Sequence, residues 1–178
     1  MTTPPPSIHE LFSAPRIKTR VQELAKQISA DYQNSELTIV GILKGSFVFV
    51  ADLCRELTLP CRLEWISIAS YGEQTQSSGV VRMTGDLTQP IDGKHVLVVE
   101  DIVDTGLTLS YLLESLRLRK PHTLRVCALL DKPVRRRVLV PLDYSGFSIA
   151  DEFVVGYGLD YAGQYRNLPF IGVLQNHK

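Results

Sequence analysis

Cysteine is scarce in this chain of 178 residues. There are three, Cys54, Cys61 and Cys127, an odd and widely spaced set with no Cys-x-x-Cys pair. That excludes a disulfide framework and a cysteine-rich metal module, and it fits reduced thiols in a cytoplasmic protein. An excess of charge is lacking too. Nineteen basic side chains cancel nineteen acidic ones, so there is no overall field to gather nucleic acid or an anionic membrane. The one dense basic run, Arg135-Arg136-Arg137, reads as a solvated loop or strand end. No apolar stretch approaches the ~20 residues of a membrane-spanning helix. The opening Met1–Ser7 carries three consecutive prolines and no charge, which is not a signal-peptide pattern. The expectation is a soluble, cytoplasmic protein without nucleic-acid or membrane partners. A frayed tail over 1–7 precedes a single domain over 8–178.

Apolar spacing supplies the elements. Ile17, Val21, Leu24, Ala25, Ile28 and Tyr32 keep helical period, predicting a helix over roughly 17–33. Leu37 to Leu43 reads as a buried strand ending at Lys44-Gly45-Ser46. A second helix follows, with Ser46 as N-cap and Phe47, Val50, Ala51 and Cys54 facing inward. Strands are expected at Cys61–Ala69, from His95, and over Thr123–Leu130, with short late strands at Phe153–Val155 and Phe170–Leu174. Strands separated by helices argue for an α/β fold with a parallel sheet. Between Tyr71 and Lys94 the chain is polar, with only Val80, Val81 and Met83 hinting at a strand pair. That segment reads as a lid.

The most informative stretch is His95 to Leu109. An apolar run meets Glu100, Asp101 and Asp104, then Thr105-Gly106-Leu107-Thr108, and Leu109, Leu112, Leu113 and Leu116 open a helical face that Pro121 ends. Three acids and a Thr-Gly-x-Thr turn thus fall at the carboxyl end of a buried strand, where α/β proteins place ligands. A helix N-terminus beside hydroxyls and a glycine suits a phosphate. Adjacent acids suit diol hydroxyls, or magnesium held through a ligand. A phosphorylated sugar meets both demands.

This stretch resembles the phosphoribosyl diphosphate (PRPP) signature of the type I phosphoribosyltransferases. Further blocks resemble the hypoxanthine-guanine branch of that family: Leu43-Lys44-Gly45-Ser46, Ser70-Tyr71, Leu129-Leu130-Asp131-Lys132-Pro133, and the 151–166 segment with Phe153-Val154-Val155-Gly156-Tyr157, Leu159-Asp160-Tyr161 and Tyr165-Arg166. The likeness covers about residues 10–175. It implies a central, mostly parallel sheet flanked by helices, with a small hood over the sheet's C-terminal edge. The implied activity is purine salvage: transfer of 5-phosphoribosyl from PRPP to hypoxanthine or guanine, giving IMP or GMP and pyrophosphate with Mg2+ as cofactor. It further implies Asp104 as catalytic base, with Glu100 and Asp101 on the ribose hydroxyls and magnesium. Asp104, Thr105, Gly106, Leu107 and Thr108 would hold the 5′-phosphate, and Lys44, Gly45 and Arg166 the pyrophosphate. Ser70 and Tyr71 would lie on the mobile loop. Lys132, Phe153, Val154 and Asp160 would surround the purine, Asp160 also reaching the metal. A homodimer or homotetramer is implied as well. Leu107 departs from members with a basic residue in the phosphate loop, which bears on affinity.

Taken without the family, several of these signals stay open. Lys44-Gly45 is equally compatible with a solvated strand end, and it lacks the Walker spacing. Lys132 alone reads as a surface lysine, although its ammonium can only donate, which suits the 6-oxygen of an oxopurine and not adenine's amino group. Gly156 and Gly158 give a GxG, but Tyr161 stands where a dinucleotide fingerprint needs a third glycine. Two other functions are weighed: a xanthine-preferring enzyme with the same machinery, and a PRPP-sensing regulator that binds nucleic acid. Neutral net charge together with Lys132 and Asp104 argues against the regulator.

Overall fold

A computed structural model describes residues 7–70 and 81–175. In chain order the elements are β1 (Ser7–Phe12), α1 (Ala14–Asp31), β2 (Leu37–Leu43), α2 (Phe47–Glu56), β3 (Cys61–Ser70), β4 (Val81–Gly85), β5 (His95–Val103), α3 (Leu107–Arg117), β6 (Thr123–Asp131), a 3-10 turn (Pro133–Arg135), β7 (Tyr144–Ser148), β8 (Val154–Val155) and β9 (Ile171–Gln175). Six strands form the main sheet in the order β4-β3-β2-β5-β6-β7. All its pairings are parallel except β3 with β4. The chain leaves β2 toward β3 on one side and returns to β5 on the other. This reversal opens a crevice at the carboxyl ends of β2 and β5.

Alternating strand side chains divide the core into two layers. Leu37 and Ile39 of β2, Leu97 and Val99 of β5, and Cys127 and Leu129 of β6 pack toward α1 and α2. Val40, Val96, Val98, Val126 and Ala128 pack toward Leu109, Leu112, Leu113 and Leu116 of α3. The four leucines are the ones the helical period selects, so α3 sits as its sequence dictates. Burial in this strand pushes the Cys127 thiol far up in pKa, which leaves it inert.

Several expectations need correction. Ser7, placed in the tail, is the first residue of β1, which pairs antiparallel with β9. Helix α1 starts earlier than its apolar period, at Ala14, where Pro15 suits the first turn. Helix α2 buries the expected Val50, but with Phe49 and Leu53 in place of Phe47, Ala51 and Cys54. Phe47 is 42% exposed, and Ala51 and Cys54 are not buried. The helix begins with five apolar residues, Phe47 to Ala51, so its period does not fix which side faces in. Ser46 occupies the N-cap position, but its hydroxyl donates to the Ile42 carbonyl at 2.5 Å and caps nothing. The acids Glu100 and Asp101 belong to β5 itself, which runs on to Val103. Strand β7 was not expected at all.

The segment read as a lid divides. From residue 81 onward it is built structure: β4 pairs with β3, Ile91 is buried, and Glu64 accepts from the Thr88 backbone and hydroxyl. Residues 71–80, including Tyr71, lie outside the described residues. Ser70 ends β3 opposite Val81.

Strands β1, β9 and β8 form a second, three-stranded antiparallel sheet. This is the hood. The loop after β8 lies against the end of β2, because a Cβ at Gly158 would run into the Gly45 carbonyl.

Candidate active site

Sheet register brings the expected residues to one edge. Strand β2 ends at Leu43, which a cis peptide bond joins to Lys44. Gly45 then passes so close to Asp101 that any Cβ would collide with its carboxylate. On the other flank of β5, Val103 pairs with Asp131 of β6, and the Lys132 N–H donates to the Val103 carbonyl at 2.9 Å. Lys132 therefore stands beside Asp104. It is only 7% exposed, and its ammonium has no hydrogen bond or ion pair to any described residue. The ammonium keeps access to the cavity that Lys132 lines, where it is suited to a ligand acceptor.

Two cavities share Gly45, Asp101, Ile102 and Asp104. The first, of about 280 Å3, lies between Lys44-Gly45 and the stretch Glu100–Gly106, with Thr108 on its wall. The second, of about 450 Å3, is bounded by Lys132, Arg135, Phe153, Val154, Asp160 and Arg166. One is a polar slot beside a helix N-terminus. The other has an aromatic wall, with Phe153 39% exposed and edge-on to Tyr161.

The turn Asp104–Leu107 is held from outside the site. Gly106 adopts φ +83° at the N-cap of α3, which has no side-chain cap. The backbone N–H groups of Arg137 and Val138 donate to the Thr105 carbonyl at 2.9 and 3.1 Å. A Cβ on Gly106 would sit 2.5 Å from the Val138 carbonyl oxygen. The Leu107 N–H donates to Thr105 Oγ1 at 3.4 Å, and the remaining first-turn amides of α3, with Thr105 and Thr108 on the cavity wall, make an anion seat.

The electrostatics are uneven. Burial, and then the neighbouring charge of Asp101, push the Glu100 carboxyl well above the usual carboxylate range. Asp101 Oδ1 accepts the Ile102 N–H at 2.8 Å. Asp160 is engaged by Arg166 at 2.6 Å and by the Gly163 N–H at 2.8 Å, and Arg166 also donates to the Gly158 carbonyl. Among the described residues no group of three or more His, Cys, Asp or Glu side chains is placed to hold a metal alone. Magnesium usually takes one or two carboxylates and fills its octahedron with phosphate oxygens and water. The Glu100–Asp101 pair fits a cation of that kind, delivered with a diphosphate.

The run Arg135-Arg136-Arg137 is exposed at Arg135 and Arg137, as expected of a solvated loop, but two of its guanidiniums are paired with acids. Arg135 Nε lies 3.0 Å from Asp104 Oδ1, and its NH1 lies 3.3 Å from Asp151 Oδ1. Arg136 pairs with Asp131 and packs its Cδ near Gly106. Sequence reasoning missed both roles. The charge run was visible, but its partners come from three separate segments that only the fold assembles.

A family model described as a phosphoribosyl transferase domain matches residues 7–162. The chain belongs to the phosphoribosyltransferase family. Its fold is the type I phosphoribosyltransferase fold. The chain is 48% identical over 168 residues to the hypoxanthine phosphoribosyltransferase of Salmonella typhimurium, covering 93% of this chain and 94% of that protein. It is 51% identical over 169 residues to the hypoxanthine-guanine phosphoribosyltransferase of Dictyostelium discoideum, with the same coverage. The crystal structure of a hypoxanthine-guanine phosphoribosyltransferase from Bacillus anthracis, with HEPES in its active site, matches with a TM-score of 0.90 at 47% identity. It covers 94% of this chain and 99% of that one. In this phosphoribosyltransferase, among the described residues, no helix is long and apolar enough to cross a membrane.

Proposed function

We propose that this phosphoribosyltransferase salvages 6-oxopurines, transferring 5-phosphoribosyl from PRPP to hypoxanthine or guanine with release of pyrophosphate. The observation that carries the reading is Lys132, a largely buried side chain that lines the cavity walled by Phe153 and follows Asp131, the register partner of the residue before Asp104. An ammonium only donates, so it selects a ring carbonyl over an exocyclic amine. Phe153 offers a stacking face and Val154 a backbone edge.

In this reading the purine enters the larger cavity and the sugar phosphate the smaller. The amides after Gly106, with Thr105 and Thr108, hold the 5′-phosphate. Glu100 and Asp101 orient the ribose hydroxyls and face the ring as positive charge builds on it. The purine ring nitrogen bonds to the anomeric carbon. The bond from that carbon to the diphosphate oxygen breaks, and its electron pair leaves with pyrophosphate. Asp104 takes the proton from the attacking nitrogen as general base. Lys44, the Gly45 amide and Arg166 bind the departing diphosphate. Glu100 and Asp101, with Asp160 once released by Arg166, would hold magnesium, which when bound neutralises the diphosphate charge. The pairing of Arg135 and Arg136 with acids removes the free basic run that a nucleic-acid-binding regulator would use. The chain is further proposed to act as one domain, in the cytoplasm, as a homodimer or homotetramer.

Steady-state assay with hypoxanthine, guanine, xanthine and adenine, each with PRPP and magnesium, tests the reading. Turnover of hypoxanthine and guanine is expected. Xanthine as the preferred base moves the specificity to the neighbouring oxopurine, and efficient use of adenine overturns the role of Lys132.

A further inference from the structure

We propose that Arg135 is a positioning residue for the transfer step, its guanidinium spanning Asp104 of the phosphate turn and Asp151 of the hood approach. The proposal rests on the reading of Asp104 as general base. Asp104 Oδ1 is sealed from solvent and accepts no hydrogen bond from a described residue. Arg135 is the one cation within ion-pair distance of it among those residues. A carboxylate oxygen in that position is costly unless a positive charge faces it. Nε supplies positive charge at Oδ1 and leaves the other carboxylate oxygen to receive the proton.

The second arm explains why an arginine suits this place. Asp151 lies two residues before Phe153, and the Ile149 N–H, just upstream, donates to the Asp131 carbonyl at 2.9 Å. Arg135 thus ties the acid beside the sugar phosphate to the chain that carries the aromatic wall. When the proton passes from the purine nitrogen to Asp104, that carboxyl becomes neutral and its attraction for Arg135 falls. Asp151 remains as counterion, so the guanidinium is never left unpaired during the step. A planar fork can face two carboxylates at once, whereas an ammonium is a single point charge.

All three side chains are between 39% and 55% exposed, so solvent screening keeps the effect small, about two- to fivefold in rate. The test measures kcat and both KM values for wild type, Arg135→Ala, Asp151→Asn and the double variant, with and without millimolar guanidinium chloride. Arg135→Ala is expected to lower kcat two- to fivefold with the PRPP KM unchanged. Guanidinium should restore the loss, and adding Asp151→Asn should cost nothing more. An unchanged kcat, a loss that guanidinium does not relieve, or additive losses overturn the proposal. A merely structural role would lower stability and would not respond to guanidinium. If the wild type forms no nucleotide from PRPP and any base, the functional reading fails instead. The contact is then judged by urea denaturation of the same four proteins, where additive losses sink it and coupled losses uphold it.

Discussion

Replacing Gly106 by alanine probes the turn that the proposed mechanism needs most. Two costs are separable. At φ +83° an L-residue pays about 1–2 kcal/mol for left-handed backbone. The new Cβ would also stand 2.5 Å from the Val138 carbonyl oxygen, a backbone atom that cannot swing away as a side-chain tip can. Relief requires the 136–138 segment to retreat, weakening the two N–H donations to Thr105, each worth about 1 kcal/mol. The total is about 3 kcal/mol, or about 6–12 °C in Tm for a chain of this size. Gly163 provides the control: its φ is +78°, yet nothing lies within 4 Å of a Cβ there. Gly163→Ala should therefore cost only the conformational part, about 1–2 kcal/mol. Thermal unfolding of both variants gives the difference, and the PRPP KM reports the function. Gly106→Ala should raise that KM and Gly163→Ala should not. Equal losses of stability in the two variants, or an unaltered PRPP KM in Gly106→Ala, would refute the clamped-turn argument.

The remaining predictions concern the chemistry. Asp104→Asn should retain PRPP binding, measured by calorimetry, while turnover falls about 10²-fold or more, the scale of a lost general base; near-normal turnover removes Asp104 from the mechanism. Lys132→Ala should raise the KM for hypoxanthine while the PRPP KM stays within error, and a reversed pattern would assign Lys132 to the phosphate half. Glu100 holds its proton more tightly folded than unfolded, so the native state binds more protons above the ordinary value of 4.5. Stability without ligands should accordingly fall as pH rises from there through the raised value. In chelator, Glu100→Gln should flatten that slope and raise the urea midpoint at neutral pH, yet lower turnover; an unchanged slope refutes the burial argument.

The parts legible in the sequence were those whose information is local. The leucines of α3, the run into β5 and the Thr105–Thr108 turn carry their own period and punctuation, and they sit where that pattern puts them. Helix α2 shows the opposite case: Phe47 to Ala51 is apolar throughout, so only packing against α1 selects Phe49 and Leu53 as the inner face. Strand β7, Tyr144-Ser145-Gly146-Phe147-Ser148, has too little alternation to announce itself. It is a strand because β6 offers it an edge, with Gly146 closely packed on the Leu129 carbonyl. Glu100, Asp101 and Asp104 stand out by their place between an apolar run and the Thr-Gly-x-Thr turn, and Asp160 only through the family resemblance, but the pairing of Arg135 with Asp104 and Asp151 joins residues 31 and 16 positions apart. No periodicity records such a meeting.

The pairing of β1 with β9, from Ser7 opposite Gln175 to Phe12 opposite Ile171, has a consequence for how the protein comes to exist. The phosphate turn needs only β5, α3 and the strut that ends near residue 138, so it can assemble while the last part of the chain is still being synthesised. The aromatic wall cannot: β8 is backed by β9, and β9 is held by β1, about 160 residues earlier in the chain. A nascent chain would gain its seat for the sugar phosphate before its seat for the base, and the second would close only when β1 and β9 have paired.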